Sequence, residues 1–143
     1  MKSAPLRALA EDYTERIARF APIEIVEVRD GRAADASARL KEESESLRAA
    51  LGAKGAQRFP QAILWDERGE APDTKKFSIV IEKSSTLDFV IGSSHGIAPD
   101  LKEAIPRHLR LSSFTMTHEW ARALALEQIY RAFCLLRGFP YHH

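Results

Sequence analysis

From Phe89 to the end, the chain alternates strand-like and helix-like stretches. It begins with an apolar run (Phe89-Val90-Ile91) and a glycine-bounded loop (Gly92-Ser93-Ser94-His95-Gly96). A short helix, a second strand-like run (Leu109-Arg110-Leu111), a hydroxyl-rich loop over 112–117 and a long amphipathic stretch follow, before the tail Pro140-Tyr141-His142-His143. This pattern constrains the fold more than any other. Strands that alternate with helices pair in parallel, because a parallel pair needs a long crossover. Loops leaving the ends of such strands are where an open α/β sheet places a ligand.

The upstream segments read as scaffold. Leu6, Leu9, Tyr13, Ile17 and Phe20 recur at helical spacing, so residues 4–20 are expected to be a helix, with Ser3 as N-cap and Pro5 in its first turn. Pro22 stops it. Residues 23–28 (IEIVEV) are β-branched and read as a strand. After a turn at 31–34 comes a second helix over 35–51, with Leu40, Leu47 and Leu51 on one side, ended by Gly52 and Gly55. Its Lys41, Glu42, Glu43 and Glu45 read as a solvated face. Residues 61–65 (QAILW) form the next strand, closed by a turn at 66–69 (DERG). Asp73 caps a helix over 74–82, although FSIVI by itself also fits a strand. A third strand spans 86–91, and Pro99 opens a short helix that Pro106 ends. The expected class is α/β: one domain over 1–143, a mostly parallel sheet with helices on both faces.

Composition narrows the partners. Lys plus Arg number 21 against 20 for Asp plus Glu, so no strong electrostatic grip on DNA, other free nucleic acid or an anionic membrane is expected. Cys134 is the lone cysteine and sits among apolar residues, which reads as a small core side chain in a reducing compartment. No apolar run approaches the roughly 20 residues of a bilayer span, and residues 1–10 lack a signal peptide's apolar centre. A soluble, cytoplasmic protein is the expectation.

Motifs taken singly say little. Gly92 and Gly96 permit close backbone approach, but no Gly-Lys-Ser/Thr follows to make a P-loop, and Ser94 stands where a dinucleotide fingerprint needs glycine. The 112–117 loop offers hydroxyls and backbone N–H groups. It reads as helix capping by Thr115 or Thr117, as a polar wall for a nucleoside or amino-acid moiety, or as both. Glu127 and Arg131, four apart on one helix face, read as an exposed ion pair. His118, His142 and His143 lack the spacing of a helical zinc pair, so no metal is expected. His95 and His108 read as solvated surface residues.

In combination the residues are more specific. Phe89-Val90-Ile91-Gly92, the Leu-x-Leu-Ser-x-x-Thr run from Leu109 to Thr115, His118, Arg122, Glu127-Gln128-x-Tyr130-Arg131-Ala132 and Pro140-Tyr141-His142 form one set. With Trp65-Asp66-Glu67-Arg68-Gly69, residues 23–28 and the first helix, this set resembles the bacterial methyltransferases that modify N3 of a pseudouridine in 23S ribosomal RNA. That family is of the SPOUT class. The resemblance covers essentially the whole chain, and the pairing of EQxYRA with a terminal PYH is its most specific part.

The resemblance implies a C-terminal trefoil knot, the cofactor S-adenosylmethionine, a homodimer in which one subunit's tail completes the other's site, and 23S rRNA within the ribosome as substrate. Carried over residue by residue, cofactor contacts fall on Trp65, Gly92, Leu111, Ser112, Ser113, Phe114, Thr115 and Met116. His142 is expected as acid/base or base-orienting group, Tyr141 as a contact to the base, and Arg122 and Arg131 as holders of phosphate or uracil carbonyls. His118 is expected to position. The chain departs from the family in five places. The family's leading strand, about ten residues long, has no counterpart ahead of Met1-Lys2-Ser3. Ser93 stands for a glycine, Trp65 for a leucine, Thr117 for a proline, and the last basic residue is His143. Competing readings are a catalytically idle cofactor- or RNA-binding relative and a knotted methyltransferase for another RNA.

Overall fold

The computed structural model describes residues 2–52 and 58–143, so Gly55, expected to help end the second helix, lies outside the described residues. The elements in order are α1 (Ala4–Ala18), α2 (Ala36–Ala50), β1 (Ala62–Glu70), α3 (Thr74–Glu82), β2 (Asp88–Ile91), α4 (Pro99–Ala104), β3 (Arg107–Leu109) and α5 (His118–Arg137). Among them β2, β1 and β3 form a parallel sheet in that order. The α/β class is as expected, and the ambiguous 74–82 segment is a helix.

Helix starts follow from capping side chains. Asp35 accepts from Ala38 N, Asp73 from Lys76 N at 2.8 Å, and Thr117 from Trp120 N at 3.3 Å. Thr117, rather than Thr115, therefore opens α5. Ser3 occupies the N-cap position of α1 without using its hydroxyl. Instead the carboxylate of Glu119, from α5, accepts from the backbone N–H groups of Lys2 and Ser3, a favourable place for an anion.

Alternation along β1 sorts the core into two layers. Ile63 faces Phe77, Ile81, Leu126, Ile129, Ala10 and Ile17, with Trp65 packed against the same cluster, so α1, α3 and α5 cover one face. Ala62 and Leu64 face Phe59, Val90, Leu101, Ala104 and Ile105, with Leu47 and Leu51 of α2 packed against them. Cys134 is fully buried, as expected for a core residue.

Two expectations fail. Residues 23–28 are not a strand: they take no regular secondary structure and join no ladder among the described residues. A β-branched run fits a pleated surface, yet it becomes a strand only where tertiary packing lays it against a sheet edge. Here Ile25 and Val26 stay 37% and 58% exposed, and Glu27 is engaged by Arg122 of α5.

The turn expected at 66–69 is instead part of β1. Trp65 pairs with Leu109, the register shifts, and Glu70 returns to the same Leu109, with Arg110 N donating to Glu70 O at 2.8 Å. The turn-forming chemistry is real, since Asp66 accepts from Arg68 N at 3.1 Å. It bends the strand locally without reversing it. Asp66 also meets Lys102 Nζ at 3.1 Å and His108 Nδ1 at 3.3 Å. Burial works to raise the Asp66 pKa, but the Arg68 N–H, the Lys102 ammonium and His108 together hold it below the usual value. His108 is thus no solvated residue: its Nε2–H also points at the carbonyls of Lys102 and Ile105, 3.0 and 2.7 Å away.

The strand β3 itself spans residues 107–109, two positions ahead of the expected run. Gly69 lies so close to it that a Cβ there would fall 2.7 Å from both His108 C and Leu109 N. Gly69→Ala should therefore lower the free energy of unfolding by about 1–3 kcal/mol, read from urea denaturation; unchanged stability would show that β1 does not cross β3 this closely.

Candidate functional site

The expected site residues fall into two groups, one at each end of α5. The first gathers where the sheet ends. Trp65 is in register with Ile91 on one side and Leu109 on the other. Gly92 and the chain leading to Leu111 therefore leave neighbouring strands flanking Trp65, within about 10 Å of one another at the usual strand spacing. This is the carboxyl edge of a parallel sheet, the customary place for a ligand.

Local packing sets what this edge presents. Gly92 must be glycine, because a Cβ would lie 2.9 Å from both Gly96 O and Ile97 Cγ1. Ser93 turns its hydroxyl toward α2 and donates to Glu43 Oε2 at 2.7 Å. The Trp65 indole stacks on Phe89 (5.7 Å, 12°) and tilts against Phe77 (5.5 Å, 56°). Its Nε1–H is buried with no hydrogen-bond partner, which normally costs about 1–3 kcal/mol. In the third segment Ser112 Oγ accepts from Phe114 N at 3.0 Å, and Phe114 is 83% exposed. Ser113 and Thr115 are exposed, while Leu111, Ser112 and Met116 are half-buried. The orphaned indole N–H and the exposed loop hydroxyls are polar groups of the kind a ligand such as S-adenosylmethionine would pair with.

His118 is the exposed first residue of α5, directly after this loop. Arg122, one turn further, binds Glu27. The Arg122 guanidinium, through its hydrogen bond and its charge, holds the Glu27 pKa low.

The second group lies at the other end of the helix. After Gly138 takes the left-handed conformation that ends α5, the chain folds back along it. Tyr141 O–H donates to Glu127 Oε1 at 3.2 Å and lies 3.1 Å from Tyr13 OH of α1. Its ring meets Tyr130 edge-on at 4.7 Å and carries the Arg131 guanidinium 4.7 Å above it. Arg131 Nε donates to Glu127 Oε1 at 2.9 Å, Arg131 Nη1 sits 3.5 Å from His142 Nδ1, and Gln128 Nε2 donates to Glu127 Oε2 at 2.8 Å. Arg131, Tyr141 and His142 are thus brought together. Glu127 and Arg131 are a half-buried hub rather than the exposed pair expected, because the returning tail and α1 cover them. Burial, then the Tyr13 hydroxyl and the Glu127 charge, push the Tyr141 pKa far above that of a free phenol. The hydrogen bond that Arg131 donates to Glu127 likewise raises the Arg131 pKa.

From His118 to Arg131 the helix rises about 20 Å, so the tail, folded back onto the second half of α5 from Glu127 to Arg131, stays away from the loop over 112–117 at its start. Sequence reasoning missed Tyr13, read only as part of an apolar stripe; a phenol on such a stripe needs a partner for its hydroxyl, and that was the available signal. It also missed Glu43. Its neighbour Ser44 is buried with it, so this side of α2 is no solvated face. No group of three or more potential metal ligands exists among the described residues.

A family model described as predicted SPOUT methyltransferase matches residues 1–142. A protein of Gloeobacter violaceus named ribosomal RNA large subunit methyltransferase H is 40% identical over 139 residues, covering 96% of this chain and 88% of that protein. Proteins of the same name from Geobacter sp. strain M21 and Pelobacter propionicus are 37% and 41% identical, each over 96% of this chain and over 90% and 89% of their own lengths.

The tail network is testable without any ligand. Below the free phenol's pKa of about 10, Tyr141 is neutral in both folded and unfolded chains. Above it the unfolded chain releases the proton first, so the stability Tyr141 contributes declines as pH rises. Tyr141→Phe should cost about 1 kcal/mol near neutrality and flatten that alkaline decline. Urea midpoints measured from about pH 7 to 11 check both; an unchanged alkaline slope would contradict the network.

Proposed function

This chain belongs to the SPOUT methyltransferase family, and from that premise we propose that it methylates N3 of a pseudouridine in 23S rRNA of the ribosome, acting as one domain with S-adenosylmethionine as donor. The observation that carries the reading is the convergence of Trp65, Gly92 and the segment from Leu111 to Met116 at the carboxyl edge of the sheet. S-adenosylmethionine, when bound, supplies a methyl group already activated on a sulfonium. What remains for the protein is alignment of the acceptor and removal of the N3 proton.

The residues divide that work. Trp65 and Gly92, with Leu111, Ser112, Ser113, Phe114, Thr115 and Met116, hold the cofactor through backbone groups, hydroxyls and the free indole N–H. His142 takes or orients the N3 proton, Tyr141 contacts the base, Arg122 and Arg131 hold phosphate or uracil carbonyls, and His118 positions. Because the target base must leave its stack, and the chain carries a net charge of only +1, a structured rRNA surface is the fitting substrate rather than a short oligonucleotide.

The assembly we propose is a homodimer. One chain holds its tail against the second half of α5, away from its 112–117 loop, so a second copy would bring a tail to that loop. Phe114, Trp120 and Leu124, 83%, 51% and 37% exposed near the start of α5, supply apolar surface for such a contact. A C-terminal trefoil knot is the arrangement we propose from the family. A cytoplasmic location follows from the ribosomal substrate; among the described residues no helix is long and apolar enough to cross a membrane.

Incubation with labelled S-adenosylmethionine and 70S ribosomes lacking the modification should yield one methylated pseudouridine, while tRNA and free 23S rRNA remain unlabelled. Label on tRNA would redirect the reading to another RNA, and no cofactor binding by calorimetry would indicate an idle relative. His142→Ala should reduce kcat at least about 100-fold and leave cofactor affinity within about twofold. Equal loss of both would contradict a role in proton transfer.

A further inference from the structure

Glu43 of α2 is only 5% exposed although it is a carboxylate on a helix otherwise rich in charge. A buried carboxylate persists where donors satisfy it, and both of its oxygens are engaged. Gly31 N–H donates to Oε1 at 3.0 Å and Ser93 O–H donates to Oε2 at 2.7 Å. Ser93 is itself a hub of the loop over 92–96. Its Oγ accepts from His95 N at 3.1 Å, its carbonyl accepts from Gly96 N at 2.9 Å, and Ser93 and Gly96 form a bridge. A second tie runs between the same elements, since Arg39 Nη1 lies 3.2 Å from His95 Nε2.

The loop so fixed is the one whose first residue, Gly92, lies at the sheet's carboxyl edge. Ser93 therefore does not spend its hydroxyl on the ligand side; it latches the loop to α2. A hydrogen bond to a charged, buried acceptor is stronger than one between neutral groups, and it holds a loop whose glycines at 92 and 96 would otherwise leave it many conformations.

We propose that Glu43, acting through Ser93, is a positioning residue for the 92–96 loop and thereby sets cofactor affinity. The inference rests on the assignment of Gly92 to the cofactor site. Neither residue takes part in the chemistry, so the effect belongs in binding and not in turnover.

The test uses the full chain, with S-adenosylmethionine as probe in calorimetry and 70S ribosomes in the turnover assay. Ser93→Ala should weaken cofactor binding about tenfold and raise the cofactor KM equally, with kcat at saturation and the ribosome KM unchanged. Ser93→Thr, which keeps the hydroxyl, should restore affinity to within about twofold. Glu43→Gln should weaken binding in the parent chain but add nothing in the Ser93→Ala background. A lowered Tm with unchanged cofactor affinity, or additive losses in the double variant, would overturn the proposal. Amide exchange without cofactor separates this from the assignment beneath it. Ser93→Ala should speed exchange at residues 93–96 and leave α5 unaltered. If the parent chain binds no S-adenosylmethionine, the cofactor assignment and the affinity claim fall together, while faster loop exchange would retain the latch as structure. Unchanged exchange would remove the latch itself.

Discussion

The strand β1 is hydrogen-bonded on both sides, to β2 over Ala62–Asp88 through Trp65–Ile91 and to β3 over Ile63–Arg107 through Trp65–Leu109. Nearly everything else depends on that double pairing. It aligns the ends of β2 and β3 on either side of Trp65, so the chain after each begins its loop there. It also presents Ile63 to one core layer and Leu64 to the other, both 1% exposed, so helices are required on each face. A parallel arrangement cannot be closed by tight turns, and of the helices that cover the faces α3 and α4 are its connections.

The long helix α5 does a different job. Its buried positions Ala123, Leu126, Ile129 and Ala132 anchor it against α1 and α3, so its two ends are fixed relative to the sheet. One end receives the polar loop after β3, and the other receives the returning tail. The tail is not held by apolar packing alone. Glu127 accepts from both Arg131 and Tyr141, and that shared acceptor ties a flexible terminus to a rigid helix. A terminus held this way can present His142 in a definite place, which a freely moving one could not.

Much of the architecture was legible in the chain itself. The apolar spacing marked α1 and α5, Asp73 marked one helix start and Thr115 or Thr117 another, Pro99 and Pro106 bounded α4, and the alternation of helix with strand implied parallel pairing. The loops at 92–96 and 112–117 stood out because glycine and hydroxyl residues gathered after apolar runs. Tyr13, Glu43 and His108 were not legible as interacting groups, since each finds its partner on an element distant in sequence: Tyr141, Ser93 and Asp66.

What the amino-acid sequence alone determined is the order and kind of most elements, and the family, because local periodicity, capping and a specific set of residues are properties of the chain read in line. Tertiary structure decided which extended runs became strands and which charges were buried. Residues 23–28 have the composition of a strand but join neither outer edge of the sheet, while residues 66–69 have the composition of a turn but lie within β1 as the irregularity between Trp65 and Glu70. Hydrogen-bond partners and burial are set by what arrives from elsewhere in the chain, and neither can be read from a segment in isolation.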